Sequence, residues 1–189
     1  MLSYRITKFD PQKRDRHGAY QDNTEWTSMS DIGKPAYRSV TFADYEQVET
    51  AYVNAIKSVM IGQDIDFLKI EDLESYFITS EKKCKQYRLA GGFEKMQVDY
   101  TFDFKCIKDG MQVAGEQLEK MIRLVLREHL HMLLVGDKIE VRFGYDYYMY
   151  IKCARLKPHI IKQIEATGLF VESDIEQYKF IIIGNNNEN

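Results

Sequence analysis

The chain has 189 residues, with 26 Lys and Arg against 29 Asp and Glu, and 44% of its residues are hydrophobic. A chain of this length buries roughly 70% of its unfolded surface on folding, so it needs neither a disulfide nor a metal to be stable. The net charge of −3 argues against a dedicated nucleic-acid binder held by phosphate contacts, and no apolar run approaches the roughly 20 residues that cross a bilayer. Cys84, Cys106 and Cys153 cannot all pair and match no zinc spacing, and no signal-peptide pattern precedes them. Reduced thiols in a cytoplasmic protein are expected. No cofactor is expected. The composition predicts a single α+β domain over residues 1–184, followed by a disordered polar tail at 185–189.

Leu2 to Phe9 alternates apolar and polar residues and predicts a strand. Residues 10–40 carry no sustained period and predict a long loop, which holds Trp26, the only tryptophan. Thr41 with Asp44 three positions on reads as a capping box. Tyr45, Val48, Tyr52, Ile56 and Val59 then predict an amphipathic helix to about Ile61, ended by Gly62. Residues 65–71 read as a short strand and 72–92 as irregular. The alternation of Val98, Tyr100, Phe102 and Phe104 with polar neighbours predicts a half-buried strand over 97–105.

After a turn at Lys108–Gly110, the apolar positions from Leu118 to Leu133 predict a second helix from about Val113 to Gly136. Residues 138–153 predict one long aromatic strand. Pro158 and Gly168 bracket a third helix, and residues 169–172 and 178–183 read as the last strands. The order predicts a mixed or antiparallel sheet with about three helices packed mainly on one face.

Catalytic signatures are mostly missing. There is no phosphate-binding Gly-x-x-x-x-Gly-Lys loop, no dinucleotide fingerprint and no nucleophile elbow. His129 and His131, two apart on the expected helix, point away from one another there and do not chelate one ion. Asp99 and Asp103 share the polar face of their strand about 13 Å apart, too far for a glycosidase-type pair. Asp64, Asp66, Glu71, Asp72 and Glu74 form an acidic stretch without calcium-loop spacing.

The most unusual segment is 141–151. As a single strand it places Val141, Phe143, Tyr145, Tyr147, Met149 and Ile151 on one face and Arg142, Gly144, Asp146, Tyr148, Tyr150 and Lys152 on the other. Three readings compete for the second face: packing under a helix, presentation of Tyr148 and Tyr150 as interface anchors, or stacking of RNA bases. The RNA reading lacks the glycine that should follow Arg142 directly.

Tyr4–Phe9, Glu25–Gly33 and Phe143–Tyr150 resemble segments of small uncharacterised Gram-positive bacterial proteins associated with toxin immunity. The resemblance implies a cytosolic inhibitor that binds one toxin domain, and it supplies no catalytic residues. Such an inhibitor acts by occlusion. Its candidate contact residues here are Asp99, Asp103, Asp146, Tyr148, Tyr150, Asp72 and Glu74, whose acidic members would steer a basic partner. No nucleic-acid or membrane partner is expected, and a homodimer through the sheet edge is an alternative assembly.

A second reading is a small enzyme. Its site would lie where Trp26, Ser28, Ser30 and Asp31 close over Arg142 and Asp146, with His17 as the base. Trp26 as a core plug that pins the loop is the simpler role for that residue.

Overall fold

A computed structural model describes residues 1–75, 106–144 and 146–173. Its strands are β1 (Leu2–Thr7), β2 (Leu68–Ser75), β3 (Gln112–Val113), β4 (Leu130–Gly136), β5 (Ile139–Phe143), β6 (Met149–Cys153) and β7 (Phe170–Ser173). Its helices are α1 (Phe42–Gly62), α2 (Gly115–Leu126) and α3 (Pro158–Glu165). The seven strands form one sheet in the order β3-β2-β4-β5-β6-β1-β7, and every neighbouring pair is antiparallel. The architecture is α+β, with the helices packed on one face, as the alternation of strands and amphipathic helices predicts.

That face is the core. Alternate residues of the strands turn inward: Tyr4 and Ile6 from β1, Leu68 and Ile70 from β2, Met132 and Leu134 from β4, Val141 from β5 and Ile151 from β6, all buried. α1 meets them with Tyr45, Tyr52, Ile56 and Val59, and α2 with Leu118, Met121 and Ile122. The Thr41 capping box is present: its hydroxyl accepts from the Asp44 amide, and Asp44 accepts from the Thr41 amide. Gly62 closes α1 against α3, where an added Cβ would lie 3.1 Å from Ile160 Cγ1.

Two expected elements divide. The long second helix stops at Leu126, and its expected second half is strand β4. The stop is a Schellman closure, in which the Glu128 amide donates to Val125 and the His129 amide to Leu124. Glu128 holds the left-handed position at φ 60°, which glycine usually fills, so composition hides the boundary. Burial then changes from helical spacing to the alternation of Leu130, Met132 and Leu134. His129 therefore sits at the turn and His131 on a strand.

The expected strand over 138–153 is a hairpin, β5 and β6, paired from Ile139 against Cys153 to Phe143 against Met149. The Gly144 amide donates to the Tyr148 carbonyl at 2.7 Å, and Asp146 and Tyr147 both take positive φ, 57° and 60°. Neither is a glycine. Tyr147 is held there from outside the turn: it is buried, its hydroxyl donates to the Leu126 carbonyl at 2.9 Å, and its carbonyl accepts from the Tyr52 hydroxyl. Tertiary contacts thus supply what the turn sequence does not.

The strand expected at 65–71 is β2, which begins at Leu68 and runs on through a bulge between Glu71 and Glu74. The 10–40 loop contains single 3-10 turns at Pro11–Lys13, Met29–Asp31 and Pro35–Tyr37 and an isolated antiparallel bridge between Arg14 and Tyr20. The strands expected at 97–105 and 178–183, and the tail at 185–189, lie outside the described residues.

Candidate partner-binding face

The face of the sheet away from the helices is polar and half-buried. Antiparallel pairing lines its side chains up in rows, because directly paired residues share a face. One row crosses six strands: Glu71 pairs with Leu133, Leu133 with Arg142, Arg142 with Tyr150, Tyr150 with Arg5, and Arg5 with Glu172. The next row runs Lys69, Val135, Glu140, Lys152 and Ser3. Both rows mix charges of both signs with apolar or aromatic contacts. Among the described residues, no helix covers them.

At the β1–β7 end of this face the long loop folds over the sheet and builds a cluster around Tyr148. Arg5 holds Glu172 through two bonds, Nε to Oε1 at 2.9 Å and Nη2 to Oε2 at 2.6 Å. Arg14, from the loop, reaches the same carboxylate through Nη1 at 2.7 Å. Both guanidinium carbons lie 5.5 Å from the centroid of the Tyr148 ring. Phe9 packs on Tyr148 and on Tyr20, with ring centroids 5.5 and 4.8 Å apart. Aromatic faces attract guanidinium groups when water is partly excluded, as it is here.

Tyr148 and Tyr150 therefore belong to the helix-free face, as expected, but their settings differ. Tyr148 is tied into the arginine cluster, and Tyr150 stands in the row between Arg142 and Arg5. Asp146 is not on a strand at all. It is exposed in the hairpin turn at positive φ, because the chain reverses there. Asp72 is exposed in the β2 bulge at φ 52°, and Glu74 pairs across from His131. Three strand spacings separate β2 from β6, roughly 14 Å. Asp72 and Glu74 thus share one sheet with the tyrosines without forming one patch with them. Asp99 and Asp103 lie outside the described residues.

The residues of the enzyme reading are partly brought together. Ser28 donates to Glu128 at 2.8 Å and lies 3.2 Å from the Ser30 hydroxyl. Asp31, however, is the closing member of a capping box, accepting from the Thr27 and Ser28 amides at 3.1 Å and pairing with Lys34. Its pKa stays below the usual carboxylate value, those bonds outweighing the burial that opposes them. His17 is exposed, and its ring accepts from Arg16 rather than from either serine. Trp26 is buried against Tyr147 and Tyr45, at 4.9 and 5.5 Å between centroids. It pins the loop as a core plug.

Lys8, Arg5, Arg14 and Glu172 carry the electrostatics of this end, and sequence reasoning passed over them. The Lys8 ammonium lies 4.1 Å from the centroids of both Phe9 and Trp26 and 3.3 Å from Glu25. Burial lowers its pKa to about 8 despite Glu25. Only the alternation of β1 hints at Arg5, and nothing local hints at Arg14, whose partner is 158 positions away.

Among the described residues no cluster of His, Cys, Asp and Glu could hold a metal ion, and no helix is long and apolar enough to cross a membrane. Comparison with family models, with curated proteins and with solved structures gives no match.

Proposed function

We propose that the chain is a non-catalytic binding protein that docks a partner protein on the helix-free face of its sheet, and that it acts in the cytoplasm as the immunity inhibitor of a bacterial toxin. The observation that carries the binding reading is the row Arg142, Tyr150, Arg5 across three adjacent central strands. Tyrosine and arginine are the residues that most often anchor protein interfaces. Here they stand on a rigid sheet, so little conformational freedom is lost on docking. The toxin assignment comes from the resemblance of Tyr4–Phe9, Glu25–Gly33 and Phe143–Tyr150 to toxin-immunity proteins, and an inhibitor of that kind works by covering a site.

The test is affinity capture from the native host at physiological salt, followed by titration of the captured protein. One stoichiometric protein, harmful when expressed alone, supports the reading. Tyr150→Ala and Arg142→Ala should each weaken it about tenfold or more, the usual size of an anchor truncation, with unchanged thermal unfolding. Capture of no protein, or full affinity in both variants, overturns it.

A further inference from the structure

Arg5 and Arg14 share one carboxylate but use it differently. Arg5 presents its Nε–Nη2 edge to Glu172 and is satisfied in both bonds. Arg14 reaches Glu172 only through Nη1, and its own Nε and Nη2 are buried without a hydrogen-bond partner among the described residues. The Arg14 side chain is 7% exposed and that of Glu172 16%. Two guanidinium cations against one carboxylate leave a net positive charge in a half-buried site. Buried charge is costly unless it is paired and hydrogen-bonded. The Nε–Nη2 edge is moreover the planar fork that holds a carboxylate through two parallel bonds, as Arg5 does a few ångströms away.

We infer that the Arg14 Nε–Nη2 edge is a binding site for a carboxylate, supplied by an Asp or Glu side chain of the docked protein. The inference rests on the reading above that this face docks a protein. It adds the chemistry of one contact: an acidic side chain inserted between the loop and the β1–β7 edge, beside Tyr148. Such a carboxylate would neutralise the cluster and satisfy both orphaned donors. Because the fork is buried, access requires the loop that carries Arg14 to shift. That loop is short at this point, closed by the Asp15 amide on Ala19 and the Gln21 amide on Lys13, with Gly18 at its turn at φ 83°.

The experiment follows the Arg14 Nε–H resonance of the full chain by NMR during titration with sodium acetate, with sodium chloride at matched ionic strength as control. A saturating acetate-specific shift is expected, together with an acetate-dependent rise in Tm that Arg14→Lys abolishes. Lysine keeps the charge on Glu172 but lacks the fork. The captured partner should bind Arg14→Lys at least tenfold more weakly, and acetate should compete with it. Identical responses to acetate and chloride would mean that water alone fills the edge, and would overturn the inference while leaving a captured partner in place. If Arg14→Lys does not fold, the wild-type resonance still decides. Acetate binding with no protein captured overturns both the docking reading and the assignment of the carboxylate to a partner.

Discussion

Glu49 on α1 is wholly buried against Arg127, whose Nε and Nη2 donate to its two carboxylate oxygens at 2.6 and 2.8 Å. Arg123, one turn earlier on α2, also reaches Glu49, and the Tyr45 hydroxyl donates to it at 3.2 Å. This carboxylate is the polar pin between α1 and the C-terminal end of α2. Removing it strands two guanidinium groups in a site built for an anion.

Glu49→Ala should therefore destabilise the protein by about 3–5 kcal/mol, the usual cost of breaking a buried pair from one side. Urea unfolding measures it. In an Arg127→Met background the same substitution should cost markedly less, because the stranded cation is gone. Equal costs in both backgrounds would show that the ion pair is not what Glu49 contributes.

His129, in the turn before β4, has its pKa lowered from 6.5 to about 4 by burial and by the neighbouring Arg127 charge. Between those pH values the unfolded chain binds a proton that the folded chain does not. Stability therefore falls as pH drops through the window, with a slope approaching about 1.4 kcal/mol per pH unit from this group. The difference in unfolding free energy between wild type and His129→Gln, followed across that window, should carry this slope. A constant difference would remove His129 as the cause.

Lys8 works in the same direction at alkaline pH. Its folded value of about 8 lies below the ordinary 10.5, so between them the unfolded chain again holds the extra proton. The Lys8 contribution to stability should accordingly rise with pH across that interval. Lys8→Met removes both the titration and the desolvated charge. Denaturant midpoints of the two proteins, compared near pH 8 and near pH 10, should show a gain confined to the wild type.

Tyr147→Phe tests the hairpin. It leaves the ring between Trp26 and Tyr52 but deletes the donor to the Leu126 carbonyl. A buried acceptor left without its donor costs about 1–3 kcal/mol. Loss of stability with unchanged partner affinity is expected, because Tyr147 faces the core and Tyr150 the other side. A selective loss of affinity would mean that the turn itself belongs to the interface.

Much of the architecture is legible in the residues. The alternation of Leu2–Thr7, the Thr41–Asp44 capping box and Pro158 at the first turn of α3 are local signals, each decided by neighbours within one turn or one pleat. The α+β class and the helix-bearing face follow from them. The breaks at Glu128 and at 144–148 do not, because residues other than glycine hold the left-handed backbone there and contacts from distant elements keep them in it. The candidate site divides the same way. Tyr148 and Tyr150 stand out locally as aromatics on a polar face. Their company of Arg5, Arg14 and Glu172 exists only because β6 pairs with β1, β1 pairs with β7, and the loop folds back. Sequence spacing determines which way a side chain points. Strand order determines which charges meet, and that is set by burial of the whole core rather than by any one segment.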